Sequence, residues 1–144
     1  MIAIRRARLK DFQTVYDFIN ELEDTVYNYD RQKEIYKANL SNKDNVHLVA
    51  LDKEDIVGYL SCHVQLLLHH NGRVAEIQEM FVHREKRGGG IGKLLVDQLK
   101  LILQKQNVVQ LEAASNNQRV STHTFYQREG FIASHKKFVW KFSS

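Results

Sequence analysis

Several features that mark other classes of protein are absent from this sequence, and their absence indicates a single globular domain. Its 144 residues contain no proline and one cysteine, Cys62, so an internal disulfide is excluded and a reducing compartment fits. No apolar run approaches the roughly 18 residues of a membrane-spanning helix, and the start, Arg5-Arg6-Ala7-Arg8, is too polar for a secretory signal. Because 43% of the residues are hydrophobic, one core can form without disulfides. We therefore expect a single cytoplasmic domain, residues 1–144.

An excess of positive charge favours an anionic ligand. The formal net charge is +4 and the sequence pI is about 9.2, which suits either nucleic acid or a polyphosphate. The basic residues are scattered, however, and the denser clusters around Arg5 and Lys136 carry no interleaved aromatic side chains for base stacking. Nucleic acid is therefore disfavoured as a partner.

Glycine is scarce, yet four of the seven glycines fall in one segment. They are Gly88, Gly89, Gly90 and Gly92, between an apolar strand and an amphipathic helix. Glycines there permit φ > 0, remove side chains that would block a ligand, and leave the first helical N–H groups at the positive end of the helix dipole. The segment predicts a phosphate-binding loop.

Two common nucleotide loops do not match this segment. A Walker loop needs a glycine where Arg87 stands and Ser or Thr where Leu94 follows the lysine. A dinucleotide fingerprint needs its third glycine at Lys93 or Leu95, depending on the reading frame. Both nucleotide-binding patterns are excluded.

Hydrophobic periodicity and turn signals predict eleven elements in the order β-α-α-β-β-β-α-β-α-β-β. The predicted strands are 2–7, 46–51, 56–70, 73–82, 108–113, 131–132 and 138–142. The first predicted helix begins at Asp11, and the other three cover 31–40, 91–106 and 120–128. Trp140, on a terminal strand, is interpreted as core. The expected fold is α/β (α+β), with a mixed, mostly antiparallel central sheet flanked by helices.

Two motifs together resemble the N-acetyltransferases of the GNAT superfamily. The first is Arg-x-x-Gly-x-Gly at 87–92, and the second is Phe125-Tyr126-Gln127-Arg128-Glu129-Gly130-Phe131. The element order agrees with that superfamily, so the resemblance covers nearly the whole chain. It implies acetyl-coenzyme A as co-substrate and allows a homodimer. Arg119 replaces an asparagine common in the superfamily, so that cofactor contact would move to Asn116 or Asn117, or be absent.

The predicted hairpin shows a closer resemblance. The runs 63–70 and 75–80, His-Val-Gln-Leu-Leu-Leu-His-His and Ala-Glu-Ile-Gln-Glu-Met, resemble the aminoalkylphosphonate N-acetyltransferases. The acceptor implied is the primary amine of a small molecule. A polyamine, an aminoglycoside or a protein amine remains an alternative acceptor, and a non-catalytic acyl-coenzyme A sensor is an alternative function.

The resemblance assigns a task to each part of the chain. The backbone of Met80, Phe81 and Val82 would bind the thioester carbonyl and the pantetheine arm. Tyr126 would protonate the departing sulfur. The pyrophosphate would lie on the loop and helix start, which comprise Arg87, Gly88, Gly89, Gly90, Ile91, Gly92 and Lys93.

The resemblance implies a glutamate of this strand as the general base, either directly or through water, and the candidates are Glu76 and Glu79. A two-residue turn at Asn71-Gly72 would place Leu67 opposite Glu76. One face would then carry His63, Gln65, His69, Glu76 and Gln78, and the other Val64, Leu66, Leu68, Ala75, Ile77 and Phe81. Glu76, on the polar face in line with Met80, is the favoured base. Glu79 would break the apolar face near the thioester, where desolvation would raise its pKa.

The remaining candidates concern the acceptor. His69 and Gln78 lie on the predicted polar face, and Tyr27 lies in the junction between the first two helices, which covers the acceptor in the fold implied by the resemblance. His69 and His70 are adjacent on a predicted strand and point to opposite faces, so we predict no metal site.

Overall fold

The computed structural model describes residues 1–115 and 120–143. The chain forms two compact units, Met1–Ala114 and Ser115–Ser144. The first contains the whole sheet and three helices, and the second contains one helix and the end of the chain.

The first unit is built on a five-stranded sheet in the order β1-β2-β3-β4-β5. Its first four strands pair antiparallel with their neighbours, whereas β4 and β5 are parallel. The strands are β1 (Ile2–Arg6), β2 (Val46–Asp52), β3 (Asp55–Leu67), β4 (Gly72–Val82) and β5 (Val108–Ala113). The predicted mixed, mostly antiparallel sheet is thus confirmed, and the prediction for β5 is correct at both ends.

Three helices accompany the sheet: α1 (Phe12–Glu23), α2 (Tyr29–Ser41) and α3 (Ile91–Lys105). Each begins where local chemistry favours it. Asn28 caps α2, since its side chain accepts a hydrogen bond of 2.9 Å from the Arg31 N–H. Asp11 precedes α1 and accepts two hydrogen bonds from the Arg5 guanidinium, of 2.8 and 3.0 Å. The Arg5 hydrogen bond lowers the pKa of Asp11 and ties the start of α1 to β1.

The helices cover opposite faces of the sheet. On one face α1 and α2 meet the strands in an aromatic-rich core made of Phe12, Val15, Phe18, Tyr36, Val49, Tyr59 and Phe81. On the other face α3 packs so closely that a Cβ at Gly58 would lie 3.2 Å from Ile91 and 3.3 Å from Leu95. Because neighbouring strand residues point to opposite faces, Gly58 faces α3 whereas Tyr59 faces α1 and α2.

The second unit contains α4 (Val120–Arg128), which matches the predicted short helix. Gly130 follows with φ of +95°, the left-handed conformation expected at a helix end. The two predicted terminal strands are wrong, because residues 131–143 contain no strand. An apolar run becomes a strand only when another strand accepts its backbone hydrogen bonds.

The assignment of Trp140 to the core is also wrong. Its side chain is 84% exposed and stacks on Phe142 with ring centroids 5.5 Å apart. The two aromatic rings stack on each other and do not fill a core.

Candidate active site

The glycine loop has the geometry of an anion site. Gly88 and Gly90 have φ of +82° and +85°, and no heavy atom of the described residues lies within 4 Å of their missing Cβ atoms. The first helical hydrogen bond runs from Leu94 N–H to the Gly90 carbonyl at 3.1 Å. The amides of Ile91 and Gly92 therefore lie ahead of the α3 ladder, at the positive end of the helix dipole.

The arginine of the loop is held by the protein itself. Arg87 Nε donates to the Val82 carbonyl at 2.9 Å, and its guanidinium lies 5.3 Å from the centre of the Phe81 ring. Arg87 and Arg84 both approach the Glu21 carboxylate, at 3.9 and 3.8 Å. The structure therefore turns the Arg87 side chain towards β4 and α1, and the loop presents mainly backbone groups.

Strand β4 leaves its neighbour β5 just before the loop. The two strands pair from Arg73↔Val108 to Ile77↔Ala113, whereas β4 continues to Val82. In the described residues, β5 therefore leaves one backbone edge of 78–82 unpaired. This segment contains Met80, Phe81 and Val82, whose backbone was predicted to bind the thioester. The Phe81 side chain is buried against Phe18, with ring centroids 4.7 Å apart, so only its backbone is available.

A β-bulge at Gln78 places both candidate glutamates on the same face of the sheet. Cys62 is opposite Ile77 but Ser61 is opposite Glu79, so β4 carries one extra residue there. Beyond the bulge the side chains change face, and Glu79 joins Glu76 on the side of α1 and α2. The expectation that Glu79 interrupts the opposite, apolar face is wrong for this reason. Met80 pairs with Leu60 and is not in line with Glu76.

Glu79 contributes to the wall of an aromatic cavity of about 240 Å³. Tyr16, Tyr27, Tyr36 and Tyr59 are among its other lining residues, so Tyr27 and Glu79 are brought to the same cavity. Tyr27 is fixed by its backbone, because its N–H donates to Asn20 Oδ1 at 3.0 Å and its carbonyl accepts from the Tyr16 hydroxyl at 2.6 Å. We call this space the aromatic cavity.

Glu76 lies in a second cavity on the same face, of about 280 Å³. His63 is its direct neighbour on β3, and Glu112 is its neighbour on β5. Gln78 also lines this cavity and donates from its amide to Glu76 Oε1 at 3.2 Å. Two predicted site residues, Glu76 and Gln78, therefore meet here, in what we call the polar cavity.

The hairpin turn differs from the prediction. Leu67 pairs with Gly72, and the turn is a 3-10 segment at Leu68–His70 followed by Asn71 with φ of +53°. His69 lies in this turn, 4.3 Å from the His70 ring, and is not among the lining residues of either cavity. Leu66 and Leu68, predicted to be core, are exposed, because the strands extend past the helices that cover the sheet.

The tail motif is built as a local unit at the end of α4. Tyr126 packs between Phe125 and Phe131, with ring centroids 5.4 and 5.3 Å away. Its side chain is buried, and burial raises the pKa of Tyr126 to about 12. The phenol therefore carries its proton throughout the neutral range, as a proton donor must. Asn116 lies outside the described residues.

Comparison with known proteins decides the family. The domain family described as "Acetyltransferase (GNAT) domain" matches residues 43–133, more than half of the chain. The chain belongs to the GNAT acetyltransferases. The aminoalkylphosphonate N-acetyltransferase of Salmonella typhimurium is 33% identical over 136 residues, which cover 94% of this chain and 88% of that protein.

Solved structures share the same fold. A transcriptional regulator from Bacillus halodurans C-125 has a TM-score of 0.91 at 25% identity, over 99% of this chain and 100% of the other. An aminoglycoside antibiotic 6'-N-acetyltransferase from Acinetobacter baumannii has a TM-score of 0.85 at 16% identity, over 100% and 99% of the two chains. The predicted family and fold class are confirmed.

This GNAT protein is an acetyl-coenzyme A-dependent N-acetyltransferase. Its glycine loop fits the co-substrate, because a phosphate needs free amides at a helix start and space where Cβ atoms would otherwise stand. None of the helices among the described residues is long and apolar enough to cross a membrane. In the same residues no group of three His, Cys, Asp or Glu side chains is arranged to hold a metal ion.

The sequence interpretation missed three polar residues on the face of the sheet that α1 and α2 cover. His47, Tyr59 and Ser61 are all buried on the α1 and α2 face, and Ser61 is the direct neighbour of Glu79. A signal was present, because His47 interrupts the apolar run 46–51 and Ser61 lies in an otherwise apolar part of β3. Strand alternation alone could not say which helices would cover them.

The loop geometry predicts different responses to alanine at two adjacent glycines. Gly90→Ala should lower the free energy of unfolding by about 1–2 kcal/mol, because a non-glycine residue is strained at φ of +85°. Gly89→Ala is the matched control, since its Cβ would lie an ordinary 3.5 Å from the Lys86 carbonyl. Urea unfolding followed by circular dichroism measures both, and equal midpoints would contradict the proposed strain at Gly90.

Proposed function

We propose that the chain, acting as one N-acetyltransferase domain over residues 1–144, acetylates the primary amine of a small molecule, with an aminoalkylphosphonate as the leading acceptor class. The observation that carries this proposal is the pair of cavities beside β4, each with a glutamate on its wall. The acceptor class is supported by the 33% identity to an aminoalkylphosphonate N-acetyltransferase over nearly the full chain.

In this proposal the two glutamates have different tasks. Glu76 is the general base, because its neighbour His63 is only half-buried and can pass the amine proton towards solvent. Glu79 contacts the acceptor and fixes its orientation, because its carboxylate is already held by a hydrogen bond from the Ser61 hydroxyl. A fixed acceptor of hydrogen bonds suits recognition, whereas a base must exchange its proton.

The backbone and Tyr126 complete the proposed reaction. The amides of Ile91 and Gly92 would hold the pyrophosphate, and the unpaired edge of 78–82 would contact the pantetheine arm and the thioester oxygen. Attack by the amine nitrogen forms the amide bond as the carbon–sulfur bond breaks. The amine proton goes to Glu76, and the Tyr126 hydroxyl supplies a proton to the leaving sulfur.

A cationic acceptor, such as a polyamine or an aminoglycoside, is the second candidate. The aromatic cavity is lined by Glu23 and Glu79, and the polar cavity by Glu76 and Glu112. Neither cavity has a lysine or an arginine among its described lining residues. Such walls attract the ammonium groups of an acceptor and disfavour a negatively charged group on it.

A panel of amines tests the proposed function. Aminopropylphosphonate and diaminopropane form the matched pair, since they share the reacting amine and the chain length but carry opposite charges at the far end. With release of free coenzyme A thiol as the readout, we expect kcat/KM to be at least about tenfold higher for the phosphonate, a difference of roughly 1.4 kcal/mol. The reverse ratio would establish the cationic class. If the protein binds acetyl-coenzyme A but releases no free thiol in the presence of any amine of the panel, it would instead be an acyl-coenzyme A sensor.

The division of labour between the glutamates predicts two different kinetic defects. Glu76→Gln should lower kcat by about 10² to 10⁴-fold, because the base is lost. Glu79→Gln should raise the KM of the acceptor and leave kcat largely intact. Glu54→Gln, in the exposed turn between β2 and β3, is the control for loss of one negative charge. A large kcat defect in Glu79→Gln with a mild one in Glu76→Gln would move the base to Glu79.

Tyr126→Phe tests the proposed acid. The ring keeps its place between Phe125 and Phe131, so the fold should persist, but kcat should fall by about 10² to 10⁴-fold. The affinity for acetyl-coenzyme A, measured by calorimetry, should stay within about twofold, well under the roughly 1.4 kcal/mol of a tenfold change. Tyr29→Phe, which removes a hydroxyl from the start of α2, is the control. A parallel loss of affinity and turnover would assign Tyr126 to binding.

A further inference from the structure

A buried histidine in the middle of β2 is not explained by the reaction as proposed. His47 is 5% exposed, and its buried Nε2 atom makes no hydrogen bond of normal geometry among residues 1–115 and 120–143, although the Asn39 backbone lies near enough to act on the ring. Such an atom costs free energy on folding, and an apolar side chain at this position would avoid that cost. The position therefore calls for a reason beyond packing.

The other ring nitrogen links His47 to Tyr59, whose hydroxyl is influenced by both Glu79 and Ser61. His47 Nδ1 shares a hydrogen bond of 3.1 Å with the Tyr59 hydroxyl, which lies on the same face of the sheet. Strand pairing aligns His47, Ser61 and Glu79 in one row across β2, β3 and β4. Ser61 accepts a hydrogen bond of 3.1 Å from the Glu79 N–H and donates to its carboxylate, while Tyr59 stands beside Ser61 on β3.

Tyr59 and Ser61, the two residues of β3 between His47 and Glu79, are shielded from water. Tyr59 is 3% exposed and Ser61 is 1% exposed. Burial, followed by the charge of Glu79, raises the pKa of Tyr59 far above its usual range, so its hydroxyl is available as a hydrogen-bond donor at any working pH. Burial lowers the pKa of His47 to about 4, and the neighbouring His63 adds to this fall, so the imidazole is neutral at pH 7.

The same ring also contacts a residue of the polar cavity, His63. The His47 and His63 rings meet edge to face with centroids 6.1 Å apart, and His63 is paired with Glu76. His47 thus lies between a residue of each cavity, Tyr59 and His63. A rigid, neutral ring at this point can fix the polar groups on the aromatic side without adding a charge to either cavity.

We propose that His47 is a positioning residue of the transferase, which through Tyr59 and Ser61 fixes the Glu79 carboxylate on the wall of the aromatic cavity. The inference rests on the proposed role of Glu79 in binding the acceptor. His47 itself does not touch the acceptor or acetyl-coenzyme A. Its loss should therefore weaken acceptor binding and leave the binding of acetyl-coenzyme A unchanged.

Substitutions that retain one ring nitrogen position at a time separate this role from packing. In His47→Asn the side-chain amide lies near the place of Nδ1, whereas in His47→Gln it lies near that of Nε2. We expect His47→Leu and His47→Gln to raise the acceptor KM about tenfold, which corresponds to roughly 1.4 kcal/mol of binding. His47→Asn should bring the acceptor KM back to within about threefold of the wild type, or roughly 0.7 kcal/mol. The KM of acetyl-coenzyme A should stay the same in all three.

Tyr59→Phe keeps the ring in the core and removes only the hydroxyl, so it tests the link without the risk of unfolding. Its effect on the acceptor KM should match that of His47→Leu, and the double variant should be no worse than either single variant. Val49→Ala, on the same face and in the same core, is the control for lost packing: it should lower the melting temperature without changing the acceptor KM. An unchanged acceptor KM in His47→Leu, failure of His47→Asn to improve on it, or multiplied effects in the double variant would overturn the proposal.

Calorimetric binding of the amine in the presence of coenzyme A gives a readout that does not need turnover. If the wild type binds an amine without acetylating it, the proposed catalysis fails, but the same variants still test His47 through the dissociation constant. If the wild type binds no amine of the panel, the acceptor role of Glu79 and the positioning role of His47 are both rejected.

Discussion

One extra residue in β4 determines which face of the sheet carries the two candidate glutamates. The bulge at Gln78 turns Glu79 and Phe81 onto the face that carries Glu76, and so places two carboxylates on the same face of the sheet. Without the bulge, Glu79 would point into the layer filled by α3, where a carboxylate would have to be buried without water. The bulge lies next to Ile77, where the pairing of β4 with β5 ends, so the local change of register and the opening of the sheet occur together.

The two ends of this opening serve opposite charges. Towards the loop, β4 leads into glycines and the start of α3, where backbone amides and the helix dipole favour an anion. Towards the cavities, the described lining residues are acidic, aromatic or neutral. A polyphosphate and a protonated amine are therefore drawn to different ends of the same strand. Arg87 adds little to this separation, because its guanidinium is hydrogen-bonded to Val82 and lies near Glu21.

Much of this arrangement is predictable from the sequence, and the exceptions have physical causes. The loop, β5, α4 and the cap at Gly130 follow from local chemistry that each segment carries by itself. The hairpin turn does not, because Leu68–His70 forms a 3-10 segment in preference to the two-residue turn that Asn71-Gly72 favours. The polar pair Gln78-Glu79 is a trace of the bulge, since it breaks alternation, but only the pairing with Ser61 decides which residue is extra. Burial of His47 depends on α1 and α2, which no strand pattern specifies.

His47 contacts one lining residue of each acidic cavity, Tyr59 and His63, without adding a charge to either. Carboxylates three residues apart on a strand, such as Glu76 and Glu79, repel each other. A charged side chain at position 47 would perturb the proton affinity of both. A neutral imidazole avoids this, because its pKa of about 4 leaves it uncharged while it still shares a hydrogen bond with Tyr59. Burial of Nε2 without a hydrogen bond of normal geometry lowers the stability of the fold, and the same burial keeps the His47 ring neutral. The stability lost at His47 and the neutrality of its ring therefore have one origin, which is burial on the face that α1 and α2 cover.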